Sequence, residues 1–163
     1  MNYISPNLED YLEIIDRLIS NGKPATVSAI ARMMGISRPS VTQMVAKMIE
    51  FELVEHVPYG DVRLTETGRE IARKVAERHR LLAQFLRDIL GVPPETADME
   101  ACELEHSIGA DTTARLAAFV QFVGASDSPP EWLERFWKYL ETSEMPEFCK
   151  ECKRLREMEN TDG

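Results

Sequence analysis

This sequence predicts a mainly α protein carrying one small β-hairpin. Apolar residues recur at helical spacing through most of the chain, and Gly22, Gly35 and Gly91 fall where the periodic runs stop. Only one stretch, Leu53 to Thr65, reads as short strands around turn residues.

Each element has its own local reason. From Asn7 to Ser20, Leu8, Tyr11, Leu12, Ile15, Leu18 and Ile19 repeat on one helical face, and Asn21-Gly22 ends the run. Thr26 or Ser28 can cap a short second helix carrying Val27, Ile30, Ala31 and Met34. Gly35 breaks it. Ser37 caps a third helix that reaches about Phe51, with Pro39 in its first turn, where a missing N–H costs little. Leu53, Val54 and Val57 read as one strand, Pro58-Tyr59-Gly60-Asp61 as a turn, and Val62, Leu64 and Thr65 as the returning strand. Thr65 caps a long helix to about Leu90, with Ile71, Val75, Leu82, Leu86 and Ile89 on its apolar stripe. Gly91 and Pro93-Pro94 stop it. Helices over Pro94 to Ile108, Asp111 to Val123, Trp132 to Leu140 and Pro146 to Met158 complete the chain, with a loop from Ser126 to Pro130.

Val27 to Ala46 fits a helix-turn-helix. Ala31 is small where two helices cross, and Gly35 stands where the turn needs a positive φ. Ile30, Met34, Ile36, Val41 and Met44 fill the apolar positions that hold the pair together, and the hairpin after it is a wing. In such a motif the second helix enters the major groove by its N-terminal residues. The candidate DNA-binding residues are therefore Ser37, Arg38, Pro39, Ser40, Thr42, Gln43 and Lys47, with Tyr59 and Arg63 on the wing. Gln43 suits an adenine edge, whereas Arg38 and Lys47 suit phosphates, which position without specifying.

The charge distribution bears on that reading. The 163 residues carry a formal charge of −9, which by itself argues against a basic protein that coats nucleic acid. Up to Val75, however, there are nine Lys+Arg and ten Asp+Glu, net −1; the remainder holds ten and eighteen, net −8. A near-neutral reading module thus precedes an acidic one. No apolar run approaches the roughly 18 residues of a membrane span. Met1 to Asp10 shows no secretory signal, and three cysteines suggest no disulfide framework. The expectation is a cytoplasmic protein with no membrane association.

A second set of residues has metal-ligand chemistry. Asp10 and Glu13 share a face of the first helix. Cys102, Glu105 and His106, at i, i+3 and i+4, share a face of a later one, and His79 lies near the apolar stripe of the long helix. Thiolate, imidazole and carboxylate together form a ligand set for first-row transition metals. Taken singly, each has a plain structural reading, and spacing alone does not bring the three groups together. No nucleophile–base pair or phosphate loop accompanies them, so an enzyme is not expected and no small-molecule substrate is implied. Cys149 and Cys152 form a CxxC that offers a second metal or redox pair, or is incidental on a terminal helix.

The strings LEDYLEII, SRPSVTQMVAKM, LTETGREIA, RHRLLAQFL and EACELEH stand in an order and spacing that resemble the DtxR/MntR family of metal-dependent transcriptional repressors, from about Leu8 to Val123. EACELEH and RHRLL are the specific ones. The resemblance implies an N-terminal winged helix-turn-helix over 1–72 and an all-helical dimerisation and metal-binding domain over 73–124. Residues 125–163, outside the resemblance, are expected to form a C-terminal helical extension with no SH3-like domain. It also implies a homodimer on double-stranded operator DNA that represses metal-uptake genes. Carried over, the family's metal ligands fall on Asp10, Glu13, His79, Cys102, Glu105 and His106. Asp10 with Glu13 looks like the manganese-sensing branch and Cys102 like the iron-sensing one. Two ancillary positions of the iron branch hold Ala83 and Asp98; Ala83 cannot ligate, so the closely spaced two-metal arrangement of the manganese branch is expected. A thiolate disfavours Mn²⁺ and three carboxylates favour Mn²⁺ or Fe²⁺, which puts Fe²⁺ first, then Mn²⁺, with Zn²⁺, Co²⁺ or Ni²⁺ behind. The rival is a winged-helix regulator that responds to an organic ligand or to thiol oxidation.

Overall fold

A computed structural model describes residues 6–56, 61–125 and 128–146. Val57, Tyr59, Cys149, Cys152 and the helix expected over Pro146 to Met158 (beyond Pro146 itself) lie outside the described residues. The order of elements is α1 (Pro6–Ser20), α2 (Val27–Met34), α3 (Arg38–Glu50), β1 (Val54–His56), β2 (Val62–Leu64), α4 (Glu66–Gln84), α5 (Pro94–Leu104), α6 (Ala110–Val123) and α7 (Glu131–Thr142). Two compact units divide the chain: Met1–Arg80 with Ala101–Ile108, and Leu81–Glu100 with Gly109–Gly163. No helix among the described residues is long and apolar enough to cross a membrane.

The first unit is built around the apolar stripe of α1. Leu8, Tyr11, Leu12 and Ile15 are buried against Ile30 and Ala31 of α2, Val41, Val45 and Met48 of α3, and Leu53, Val54, Val62 and Leu64 around the hairpin. Thr26 caps α2 by accepting from the Ala29 N–H at 3.1 Å. Gly35 closes that helix at φ 67°, its N–H donating to the Ala31 carbonyl; only glycine holds such a φ without strain. Ser37 caps α3, with Pro39 in the first turn. The strands pair antiparallel, Val54 opposite Leu64 and His56 opposite Val62. The Val62 N–H reaches the Ala25 carbonyl at 2.9 Å and fixes the returning strand beside the start of α2. Thr65 caps α4 through the Gly68 N–H at 3.0 Å.

The second unit packs Ile89, Val123 and Leu133 with Phe85, Leu90, Phe136 and Trp137. The sequence predicts a single helix to about Leu90. The regular α-helix ends at Gln84 instead, and one π-helical turn continues over Phe85–Ile89, its Leu90 N–H donating to the Phe85 carbonyl at 3.2 Å. The wider turn accompanies an outside donor: the Trp137 indole N–H binds the Ile89 carbonyl at 3.0 Å.

The structure corrects one further element. The helix expected to Ile108 stops at Leu104, and residues 105–107 form a turn in which the Ser107 and Ile108 N–H groups both donate to the Leu104 carbonyl. The Glu105 N–H still donates to the Ala101 carbonyl at 3.0 Å, so the turn follows directly on the last helical bond.

Candidate metal centre

Three pairs of adjacent residues converge within the first unit: Glu9-Asp10 on α1, Arg78-His79 on α4, and Glu105-His106 in the turn after α5. Tyr11 and Leu12 are buried on α1, which holds Glu9 and Asp10 at the edge of the core. Val75 is buried one turn before Arg78 and His79, and Ala101 one turn before Glu105. Each pair is thus set by a neighbouring apolar anchor on its own element.

Glu105 is 0% exposed, a rare state for a carboxyl group. Its Oε2 lies 3.0 Å from His79 Nδ1. Its Oε1 lies 3.3 Å from His106 Nε2, which in turn lies 2.7 Å from Asp10 Oδ1. The other ring nitrogen of His106, Nδ1, meets Glu9 Oε2 at 3.0 Å, and that same oxygen receives the Arg78 guanidinium at 2.7 Å. Burial pushes the Glu105 carboxyl up to about 7; the Glu13 charge adds to the shift, while His79 and His106 oppose it. For His106, burial acts against the charged form, but the Glu9 hydrogen bond and the charges of Asp10 and Glu105 outweigh it. The net effect lies above the ordinary value.

Two atoms at the centre, Glu105 Oε1 and His106 Nε2, are buried without a hydrogen-bond partner. Such atoms are uncommon in folded proteins and call for a reason. One donor atom from each of Asp10, Glu105 and His106 lies within 4.8 Å of the others. A first-row ion with oxygen and nitrogen ligands at about 2.0–2.2 Å needs those donors about 3 Å apart. The 2.7 and 3.3 Å separations meet that requirement, so a divalent cation fits the residues present.

Of the six candidate ligands, Asp10, Glu105 and His106 come together. His79 joins them through its hydrogen bond to Glu105, and Glu13 is near enough for its charge to act on Glu105. Cys102 is exposed and stands outside the trio. Glu9 and Arg78 were missed in the sequence. Their only signal was position: each sits immediately before a candidate ligand.

The proposed DNA-reading residues lie on an exposed face. Ser37, Arg38, Pro39, Ser40, Thr42, Gln43 and Lys47 all face solvent at the start and outer side of α3, and Arg63 is exposed on β2 opposite Glu55. Ser37 and Ser40 share a hydroxyl contact of 2.8 Å, and Thr42 donates to the Arg38 carbonyl at 3.0 Å. The Lys47 ammonium lies 5.9 Å from the centre of the Phe51 ring. A cleft of about 520 Å³ runs between α1 and this helix, lined by Asp10 and Tyr11 on one side and Ser40, Gln43 and Lys47 on the other.

The family described as iron dependent repressor, N-terminal DNA binding domain matches residues 3–62. Its companion, iron dependent repressor, metal binding and dimerisation domain, matches residues 65–128. The transcriptional regulator MntR of Bacillus subtilis is 34% identical over 137 residues, 84% of this chain and 96% of its own. The chain belongs to the DtxR/MntR family of metal-dependent transcriptional repressors. An HTH-type transcriptional regulator of Methanocaldococcus jannaschii is 35% identical to this DtxR/MntR chain over 119 residues, 72% of this chain and 95% of that protein. Among solved structures, the manganese regulator SloR superposes with a TM-score of 0.65 at 32% identity over 73% of this chain. This DtxR/MntR chain spans 55% of the SloR chain. The relatives are regulators of transcription, not enzymes, and the fold expected from the sequence is the family's own.

Proposed function

We propose that this chain is a metal-activated, DNA-binding repressor of manganese- or iron-uptake genes, held in the cytoplasm as a homodimer. The observation that carries this reading is the pair of buried atoms without a hydrogen bond, Glu105 Oε1 and His106 Nε2, crowded against Asp10 on the helix that also walls the cleft beside Gln43 and Lys47.

Asp10, Glu105 and His106 would hold the ion, with Glu13 and His79 completing the set or holding a second ion beside it. A bound divalent ion supplies positive charge to a cluster of carboxylates that repel one another. The residues do the rest. Asp10 lies on α1 and Glu105-His106 in the turn after α5, so holding one ion between them ties α1 to that turn. Because α1 also packs on α2 and α3, its position sets that of the recognition helix. Coupling of this kind typically supplies about 1–3 kcal/mol, or roughly 5- to 150-fold in DNA affinity. The acidic balance of −9 adds to it, since an acidic apo-protein is poorly attracted to phosphate.

With Cys102 outside the trio, the gathered donors are carboxylate and imidazole. That removes the reason for placing Fe²⁺ ahead, and Mn²⁺ becomes the first choice with Fe²⁺ next. We assign DNA reading to 1–72 and dimerisation to 73–124, with 125–163 as an extension. Exposed Phe119, Phe122 and Trp132 support an apolar contact between copies; Phe122 is 74% exposed. The test is DNA binding to the promoter upstream of its own gene, with chelator and then with Mn²⁺, Fe²⁺, Zn²⁺, Co²⁺ or Ni²⁺ in turn. Metal-independent binding overturns the proposal and favours a regulator that senses an organic ligand or thiol oxidation.

A further inference from the structure

The least expected feature of the cluster is the partner of His106 on its other side. Glu9 Oε2 accepts from two donors, the Arg78 guanidinium at 2.7 Å and His106 Nδ1 at 3.0 Å. The side chains of all three are largely shielded, with 17% of Glu9, 24% of Arg78 and 12% of His106 exposed. A carboxylate paired with a guanidinium only accepts, so a proton on Nδ1 completes this contact, whereas a proton on Nε2 would complete the one to Asp10 Oδ1 instead. With the proton on Nδ1, the lone pair is left on Nε2, the atom facing Asp10 Oδ1 and Glu105 Oε1, where a cation can take it. Glu9 and Asp10 are consecutive on α1 and grip opposite edges of one imidazole.

We propose that Glu9, held by Arg78, is the positioning residue that fixes the tautomer and orientation of His106 so that Nε2 is presented to a cation. This rests on the metal reading above. Carboxylates in this outer role orient metal-binding histidines, and their loss typically costs about 10- to 100-fold in metal affinity. Arg78 has a role of its own: without its charge, Glu9 would be one more carboxylate competing for the ion, whereas with it the Glu9 charge is already compensated.

The experiment compares wild type, Glu9→Ala, Glu9→Gln and His106→Ala. Mn²⁺ binding is followed by the loss of the free-ion paramagnetic resonance signal. The His106 tautomer is read from ¹⁵N–¹H correlation spectra of the metal-free protein in alkaline buffer, where the imidazole is neutral. Glu9→Ala is expected to weaken Mn²⁺ binding by about 10- to 100-fold and to shift the tautomer population from Nδ1–H toward Nε2–H. Glu9→Gln, which keeps an accepting oxygen and nearly the same shape, is expected to lose less and to fold if the alanine variant does not. If His106→Ala weakens binding while both Glu9 variants keep wild-type affinity and tautomer, the role given to Glu9 is wrong. If His106→Ala binds Mn²⁺ as wild type does, the metal reading itself fails.

Discussion

Gly68 faces the backbone carbonyl of Leu53 so closely that a Cβ built on it would lie 2.0 Å from that oxygen. Leu53 O also accepts from the Thr65 N–H and hydroxyl, each at 3.1 Å, so the contact joins the start of α4 to the chain leaving α3. Gly68→Ala has no flexible neighbour to displace; the backbone itself must shift. We expect a loss of about 1–3 kcal/mol or more, since overpacking adds to the broken hydrogen bonds. Urea unfolding would measure it, and wild-type stability for the alanine variant would contradict the geometry.

The buried Glu105 carboxyl gives the metal-free protein a pH dependence of definite sign. Its pKa lies at about 7 in the folded state, against 4.5 when unperturbed, and that of His106 is raised too. The folded state thus holds these protons more tightly than the unfolded one. The Glu105 contribution to stability is fully present below about pH 4.5 and is lost as pH rises through about 7; that of His106 is likewise lost as pH rises through its raised pKa. A fall of about 1–3 kcal/mol across that window is expected for Glu105. Glu105→Gln, which keeps the shape without the charge, should flatten the curve in a chelator-treated thermal melt series.

Metal affinity should run the opposite way. A cation needs both groups deprotonated, so its binding strengthens as pH rises from about 6 to 8 and releases protons. Calorimetry in buffers of different ionisation enthalpy would count them. Binding with no proton release would show that Glu105 and His106 stand outside the coordination.

Cys102 separates the candidate ligands. Exposed and outside the trio, it is expected to contribute less than the trio: Cys102→Ala should lower Mn²⁺ affinity less than His106→Ala does. His106→Ala should lose more than the ~10- to 100-fold typical of an outer partner. Equal losses in the two variants would return the thiolate to the coordination sphere.

On the recognition helix, Gln43 and Arg38 are both exposed but differ in chemistry. Gln43→Ala should cost about 1–3 kcal/mol at one base pair and relax preference there. Arg38→Ala should weaken binding to all sequences alike and lower the salt slope by about one. Competition binding against single-base operator variants at several salt concentrations distinguishes the two.

The fold was legible because its signals are local. Thr26, Gly35 and Ser37 set helix ends through their own side chains or φ, and the apolar stripe of α1 set the first core. The π-helical turn was not legible, because the Trp137 donor that meets Ile89 lies 48 residues away. The end of α5 at Leu104 was missed for want of a glycine or proline at the boundary. In the site, the ligand-type residues stood out by chemistry, whereas Glu9 and Arg78 looked like ordinary surface charges on their helices. Only the folded chain, which brings Glu9 to His106 across 97 positions, gives them a role.

That separation has a consequence during synthesis. Among the described residues, the buried apolar cluster that shapes the helix-turn-helix and its hairpin lies between Leu8 and Ala72, so that core can close early in the growing chain. The turn bearing Glu105 and His106 is made later. The compact unit that begins with α1 therefore stays incomplete until residues 101–108 are made, and a part-made copy has the helix-turn-helix core without the turn that carries Glu105 and His106.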